Sequence, residues 1–289
     1  AGLPRTSITF IPKLFSIFYK LYYEHVFTKG NKEYLVERQL SNDNSPILID
    51  IDFRYAPSIT TRQHTEEDIN VILDLYFDNL KELLVLDGNL DIPVYIFEKP
   101  NVNVQKDHAD TKDGIHILIG LKLSHTLQLV LREKIISQIS DYIDLPITND
   151  KNWEDVFDIS ISRGSTGWQF YGSRKPDNDA YVLTYYYKIK YDASDETISC
   201  YEQQVDGYIN SYEKLKLISA RNENNISCEL TEYSKNIIEE KNNEKKKISM
   251  KGIKRYTYNS SVNLNIRNEQ QLNTELENFF HEDNLRSTD

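Results

Sequence analysis

Ile47-Leu48-Ile49-Asp50-Ile51-Asp52-Phe53 is an apolar, β-branched run interrupted only by two acids. A run of that length and composition, preceded by the polar turn Ser41-Asn42-Asp43-Asn44-Ser45-Pro46, predicts a buried strand. Side chains alternate along a strand, so Asp50 and Asp52 fall on one face. Two like charges on an apolar strand repel one another and lose solvation on burial, which calls for a cation between them. Mg²⁺ or Mn²⁺ suits that need, because hard cations take carboxylate oxygens together with water and substrate phosphates. A strand end open to solvent, or ion pairs with Arg54 or Arg62, satisfies the same local pattern.

Lys13 to Phe27 reads as helical. Thr65-Glu66-Glu67-Asp68 is a capping pattern before Ile69, Ile72, Leu73, Tyr76, Phe77 and Leu80, which recur at helical spacing. Pro93 to Phe97 reads as a strand, Glu98 to Asp113 as a loop, and Gly114 to Ile119 as the returning strand. Leu127 to Ile143 predicts a second helix. Trp153 to Ile161 and Gly167 to Gly172 read as a strand pair joined at Arg163-Gly164-Ser165, and Tyr181 to Tyr191 as a tyrosine-rich strand. Past Asp192 the chain grows polar: Asn222 to Asn225 and Lys235 to Lys247 read as loops or a solvated helix, with a last helix over Glu269 to Phe280. Strands and helices mixed in this way predict an α+β fold.

Composition narrows the function classes. The chain has 289 residues, 39% of them hydrophobic, enough for a real core. No 18-residue apolar run occurs, since residues 8 to 26 are broken by Pro12, Lys13, Lys20, Glu24 and His25, so no membrane partner is expected. The start, Ala1 to Arg5, lacks an initiator Met and a signal pattern, which predicts a segment of a longer protein. Two cysteines, Cys200 and Cys228, are too few for a CxxC zinc site; no zinc is expected, and a reducing, intracellular compartment is. Heavy use of Asn, Ile, Lys and Tyr, including 20 tyrosines, is that of an AT-rich genome. A net charge of −11 argues against nucleic-acid binding by bulk electrostatics. Local patches are Arg163, Arg174 and Lys175, and the run from Lys241 to Lys254 with Arg255, which also reads as a solvated linker.

Three further motifs carry chemistry. Asp158, between Phe157 and Ile159, is a third acid in an apolar setting. Three such acids can build a centre holding two divalent ions roughly 3.5–4 Å apart. Gly114-Ile115-His116 places a small residue and a His on one strand face, where glycine leaves room for a bulky ligand such as a triphosphate. Gly172-Ser173-Arg174-Lys175 combines cations, a hydroxyl and a glycine that lets backbone amides approach an anion. A plain turn accounts for it equally, and the order is not that of a P-loop.

In this order the segments resemble the archaeo-eukaryotic primase superfamily, whose signatures are an Asp-x-Asp/Glu strand, a small-x-His strand and a hydrophobic-Asp strand. The nearest likeness is to the primase domains of primase-helicases of nucleocytoplasmic large DNA viruses and to eukaryotic primase-polymerases. The likeness rests on Ile49 to Arg54, Arg62-Gln63-His64-Thr65-Glu66-Glu67, Phe97-Glu98-Lys99, Lys112 to His116, Asp158 and Tyr171 to Lys175, and covers roughly residues 46 to 190. It implies an RRM-like catalytic sheet packed with a second αβ module supplied by residues before about 46 and by the strands near 95 and 115. It also implies that Asp50, Asp52 and Asp158 ligate metal and, with His116, are catalytic. His116, Lys112, Gly114, Ser173, Arg174 and Lys175 would bind nucleotide. Gly114 stands where many members have Ser, and Gln169 where an Arg is often found.

The implied activity is DNA primase or primase-polymerase: template-directed nucleotidyl transfer with two Mg²⁺ or Mn²⁺ ions, from NTP or dNTP, on single-stranded DNA. A replicative helicase, in the same or another chain, is an implied partner. A viral source implies the host cytoplasm (viral factory) or the nucleus. The alternatives are a primer-dependent polymerase or terminal transferase of the same superfamily, and an inactive nucleic-acid-binding module. Residues 1–195 are expected to form the catalytic domain, and 196–289 a polar extension that is a helical docking segment or partly mobile.

Overall fold

The computed structural model describes residues 6–10, 14–40, 45–86, 88, 90–104, 110–148, 152–192, 197–250, 262–266, 270, 271 and 274. In chain order its elements are β1 (Thr6–Phe10), α1 (Phe15–Tyr23), β2 (Val36–Glu37), β3 (Pro46–Tyr55), α2 (Glu66–Leu83), β4 (Leu84–Val85), β5 (Asp91–Glu98), β6 (Thr111–Lys122) and α3 (His125–Gln138). There follow α4 (Trp153–Val156), α5 (Ile159–Ser162), β7 (Trp168–Gln169), β8 (Val182–Asp192), β9 (Thr197–Gln203), α6 (Tyr212–Leu217), β10 (Glu229–Leu230), α7 (Glu232–Met250) and β11 (Val262–Ile266). The fold is α+β. Its centre is one five-stranded antiparallel sheet in the order β3-β6-β5-β8-β9.

Alternation along β3 splits the core in two. Ile47, Ile49, Ile51, Phe53 and Tyr55 face one side, where Ile69, Ile72, Tyr76, Phe77 and Leu80 of α2 and Leu127, Leu131 and Ile135 of α3 cover them. The capping box of α2 is formed as the sequence predicts: the Thr65 amide donates to Asp68 Oδ2 (2.8 Å) and the Asp68 amide to Thr65 Oγ1 (3.4 Å). On the other face Leu48, Leu118, Tyr95, Phe97 and Leu183 pack against Tyr19 and Tyr22 of α1, Trp168, Phe170 and Leu215. The helical segment expected over Lys13 to Phe27 is α1 continued by a π-helical turn, Glu24–Thr28.

Three expectations need correction. The strands near 95 and 115 are β5 and β6, in the middle of the sheet that carries Asp50, not in a second module. Trp153 to Ile161 forms two helical turns, α4 and α5, and of the expected strand only a single antiparallel bridge, Phe157 to Ile51, is formed. The Arg132 guanidinium donates to the carbonyls of Glu154 (2.5 Å) and Phe157 (2.7 and 2.9 Å), acceptors a strand neighbour would have taken. Only Trp168 and Gln169 of the second stretch are extended, as β7 paired with β2.

The polar C-terminal stretch enters the same body. The expected break at 195 falls between β8 and β9, which pair over Tyr186–Gln203 to Asp192–Thr197. Leu215, Ile218 and Ala220 are buried against α1 and Phe170, β10 pairs with β4, and α7 packs on α2 and α3. The apolar positions needed for this are few and irregularly spaced, so a polar average conceals them. The helix expected over Glu269 to Phe280 lies outside the described residues, apart from 270, 271 and 274. Among the described residues no helix is long and apolar enough to cross a membrane.

Candidate active site

The register of β3 on β6 builds the site in rows. Asp50 pairs with His116, Asp52 with Gly114, and Arg54 with Lys112, all on the face that Leu48 and Leu118 share with α1. On the next strand Phe97 pairs with His116, and the Lys99 amide donates to the Gly114 carbonyl (3.4 Å), so Lys99 extends the row of Asp52 and Gly114. Asp50 and Asp52 share a face, as expected.

Asp50 Oδ1 is buried and makes no hydrogen bond; His116 Nε2 stands 3.4 Å from it. Desolvation, and then the neighbouring Asp50 carboxylate, push the Asp52 carboxyl above its ordinary range, while His116, Lys175 and Lys112 pull it down. A buried carboxylate oxygen with no hydrogen bond, approached by His116 Nε2, beside a second acid whose pKa is raised fits a hard divalent cation, with water and phosphate oxygens completing its shell. Asp158 is tied to Asp50 through its backbone. Its amide donates to the Asp50 carbonyl (2.9 Å), but its carboxylate caps α5 by accepting from the Ser160 amide (2.7 Å). Among the described residues no three His, Cys, Asp or Glu side chains converge as a metal-binding group.

His116 is held between two rings, Tyr181 at 3.7 Å between centroids and Trp168 at 4.2 Å. The room expected beside Gly114 is taken up at its floor by Tyr181: a Cβ there would lie 2.5 Å from the Tyr181 hydroxyl. Burial, with Asp50, Asp52 and Asp113 nearby, keeps that phenol protonated. Lys112 is half-buried, Lys175 exposed, and both act electrostatically on Asp52.

The remaining candidates from the Gly172 turn divide. Gly172 has a positive φ of 84°, and a side chain there would strike Phe27. Ser173 is buried away from the acids: its Oγ accepts from the Leu35 amide (3.0 Å) and shares a hydrogen bond with the Tyr22 hydroxyl (3.1 Å). Arg174 ties its amide to the Glu33 carbonyl (2.8 Å), and its Nε is buried without a partner. Gln169 donates to the Ser173 carbonyl (2.6 Å) and so shapes the turn.

Behind the site a buried charged cluster pins the ends of β5 and β6. Arg62 donates to both Asp113 oxygens (3.0 Å each) and to the Lys99 carbonyl (2.6 Å), and pairs with Glu98 (2.9 Å). His64 Nε2 lies 2.7 Å from Glu98 Oε1, and Nδ1 3.3 Å from Asp113 Oδ2. Arg62 and His64 were legible as a motif, but their partners were not, because the pairs span 34 to 51 residues.

The family described as "C962R protein N-terminal AEP domain" matches residues 11–187, well over half of the chain. The chain belongs to the archaeo-eukaryotic primase (AEP) family. A protein of Acanthamoeba polyphaga mimivirus named as helicase L207/L206 is 32% identical over 160 residues, which is 54% of this chain. The chain spans only 16% of that relative's length. The AEP match takes in β3, β6 and the Asp158 turn, so the site described above lies wholly within the matched segment.

Proposed function

We propose that this primase-family domain carries out template-directed nucleotidyl transfer from an NTP or dNTP on single-stranded DNA. The observation that carries the reading is the row geometry of Asp50, Asp52 and His116, with a buried, unbonded Asp50 oxygen next to an acid whose pKa is raised. Asp50 and Asp52 would hold the divalent ions, Mg²⁺ or Mn²⁺, with Asp158 joining once its carboxylate leaves the Ser160 amide. Bound there, the ions supply Lewis-acid activation of the attacking 3′ hydroxyl and charge neutralisation at the leaving pyrophosphate.

The chain's own groups do the rest. His116, fixed in plane by Tyr181 and Trp168, presents Nε2 to a phosphate oxygen. Lys112 and Lys175 offset the triphosphate charge as it shifts toward the leaving group. The template would be contacted by a restricted basic and aromatic surface, since the net charge leaves no broad basic field.

The test is incubation with a primer-free single-stranded template, Mg²⁺ or Mn²⁺ and labelled nucleotides, with Asp50→Ala/Asp52→Ala as control. Products from the wild type alone support a primase; products only on a primed template support a polymerase of the same family. The capped state of Asp158 favours one other reading, a nucleotide-binding module without catalysis. That reading expects metal-dependent triphosphate binding by calorimetry with no product on either template.

A further inference from the structure

We infer that Lys99 is a further phosphate-binding residue of this site, carried on the Tyr181 ring that also backs His116. The inference rests on the nucleotidyl-transfer reading and gives a role to a lysine that stands in the Phe97-Glu98-Lys99 motif without one.

Sheet register places it. Lys99, one residue past β5, donates its amide to the Gly114 carbonyl (3.4 Å), and Gly114 pairs in turn with Asp52, so the three form one row on the site face. Neighbouring strands are about 4.8 Å apart, which puts the Lys99 backbone roughly 10 Å from that of Asp52. Glycine contributes no side chain to the middle of the row. The Tyr181 hydroxyl occupies the place of the missing Cβ of Gly114, 2.5 Å from it, with Asp52 Oδ1 3.5 Å from the same point. A phosphate on this row would sit above that hydroxyl, with the acids on one side and an ammonium on the other.

The ammonium is aimed rather than loose. Lys99 Nζ sits 4.0 Å over the Tyr181 ring and donates to the Asp179 carbonyl. His116 already covers one face of that ring at 3.7 Å, and two groups so close to one centroid cannot share a face. Lys99, Tyr181, His116 and Trp168 therefore form one continuous stack beside the acids. Arg62 fixes the base of the lysine through its carbonyl. One of the three ammonium donors is used, and two remain for a ligand. Burial, and then the nearby Lys175, bring the amine down to about 8, opposed by Asp179, Asp52 and Asp50.

The experiment is titration calorimetry of the full chain with Mg²⁺-tripolyphosphate and with a non-hydrolysable dNTP analogue, beside the extension assay. Lys99→Met should bind both ligands about tenfold more weakly, the loss of one charge-assisted hydrogen bond, and Lys99→Arg should recover most of it. Tyr181→Phe should bind as the wild type does, because the ring keeps both contacts, whereas Tyr181→Leu should match Lys99→Met. Equal binding by wild type and Lys99→Met overturns the inference whatever the extension assay gives, as does a wild type that binds neither ligand. Lys99-dependent binding with no product on any template keeps Lys99 and sinks nucleotidyl transfer instead.

Discussion

Tyr181 lies flat against His116, ring planes inclined by 22°, with its hydroxyl where the Cβ of residue 114 would be. Gly114→Ala therefore forces a 2.5 Å contact on a ring that also positions His116. Overpacking of this kind costs about 1–3 kcal/mol. We expect that loss in thermal or urea melts, with extension falling by roughly tenfold or more. Tyr181→Phe in the same chain removes the clashing oxygen and leaves the ring carbon at 3.5 Å, an ordinary contact. The double variant should regain stability; if it stays as unstable as Gly114→Ala, the hydroxyl is not what the glycine accommodates.

Asp158 separates a structural from a catalytic carboxylate. Asp158→Ala loses the cap on α5, worth about 1 kcal/mol, while Asp158→Asn keeps an oxygen for the Ser160 amide. Asp158→Asn should melt like the wild type yet lose extension and weaken Mn²⁺ binding in calorimetry. Unchanged activity would leave Asp158 as a cap alone.

Much of this site can be read from residues close in sequence. Asp50, Asp52 and the Gly114–His116 pair are legible because period-two alternation fixes faces without knowledge of partners. Lys99 stands in the Phe97-Glu98-Lys99 motif but its role is not legible there, because its row partner, Gly114, lies across a loop, although its spacing of two from Phe97 on β5 already assigns its face. Ser173 misleads for the opposite reason: its turn looks anion-binding, but burial against Tyr22 is set by α1, about 150 residues away. Asp158 reads as a strand residue because Val156, Phe157 and Ile159 are β-formers, and the Arg132 contacts that end α4 are tertiary.

The cluster behind the site should shape stability against pH. Partners Asp113 and Glu98 raise the His64 pKa above its ordinary 6.5 despite burial, so its stabilisation is full below 6.5 and fades as pH rises through the folded value. Asp113 and Glu98 are held below 3.8 and 4.5 by His64 and Arg62, so their stabilisation is present above those values and fades under acid. Arg62→Met leaves Asp113 and Glu98 short of a cation and should cost about 3–5 kcal/mol, since it breaks a buried ion pair from one side. Equilibrium unfolding at pH 6 measures it; a loss below about 1 kcal/mol would reduce the cluster to a surface-like pair.

Glu37 runs the other way. It is buried, accepts from Ser219 Oγ (2.5 Å) and the Ala220 amide (2.7 Å), and burial pushes its carboxyl up to about 7. A raised acid binds its proton more tightly folded than unfolded, so stability falls as pH climbs from its ordinary 4.5 to about 7. Glu37→Gln removes that slope. We expect the variant to gain on the wild type by roughly 1–3 kcal/mol between pH 5 and 8 in matched thermal melts. Parallel curves would mean that the hydrogen bonds to Ser219 and Ala220, not the charge, govern the site.

Ser219 and Ala220 also decide what a chain cut after Asp192 should do. The cut removes β9 from its pairing with β8 and takes away Leu215, Ile218 and Ala220, buried beneath α1 and Phe170. It strips Ser219 from Glu37 and from the Tyr19 hydroxyl (2.7 Å), leaving a buried carboxyl and a buried phenol unsatisfied. Each unsatisfied group costs about 1–3 kcal/mol, and each buried aliphatic side chain lost costs a similar amount again. Their sum rivals the whole stability of an ordinary domain. The family match ends at residue 187, yet a fragment ending at 192 should be unfolded or aggregated by circular dichroism and gel filtration, and one ending at 244 folded. A well-folded 1–192 fragment would show that the later residues dock on a core already complete without them.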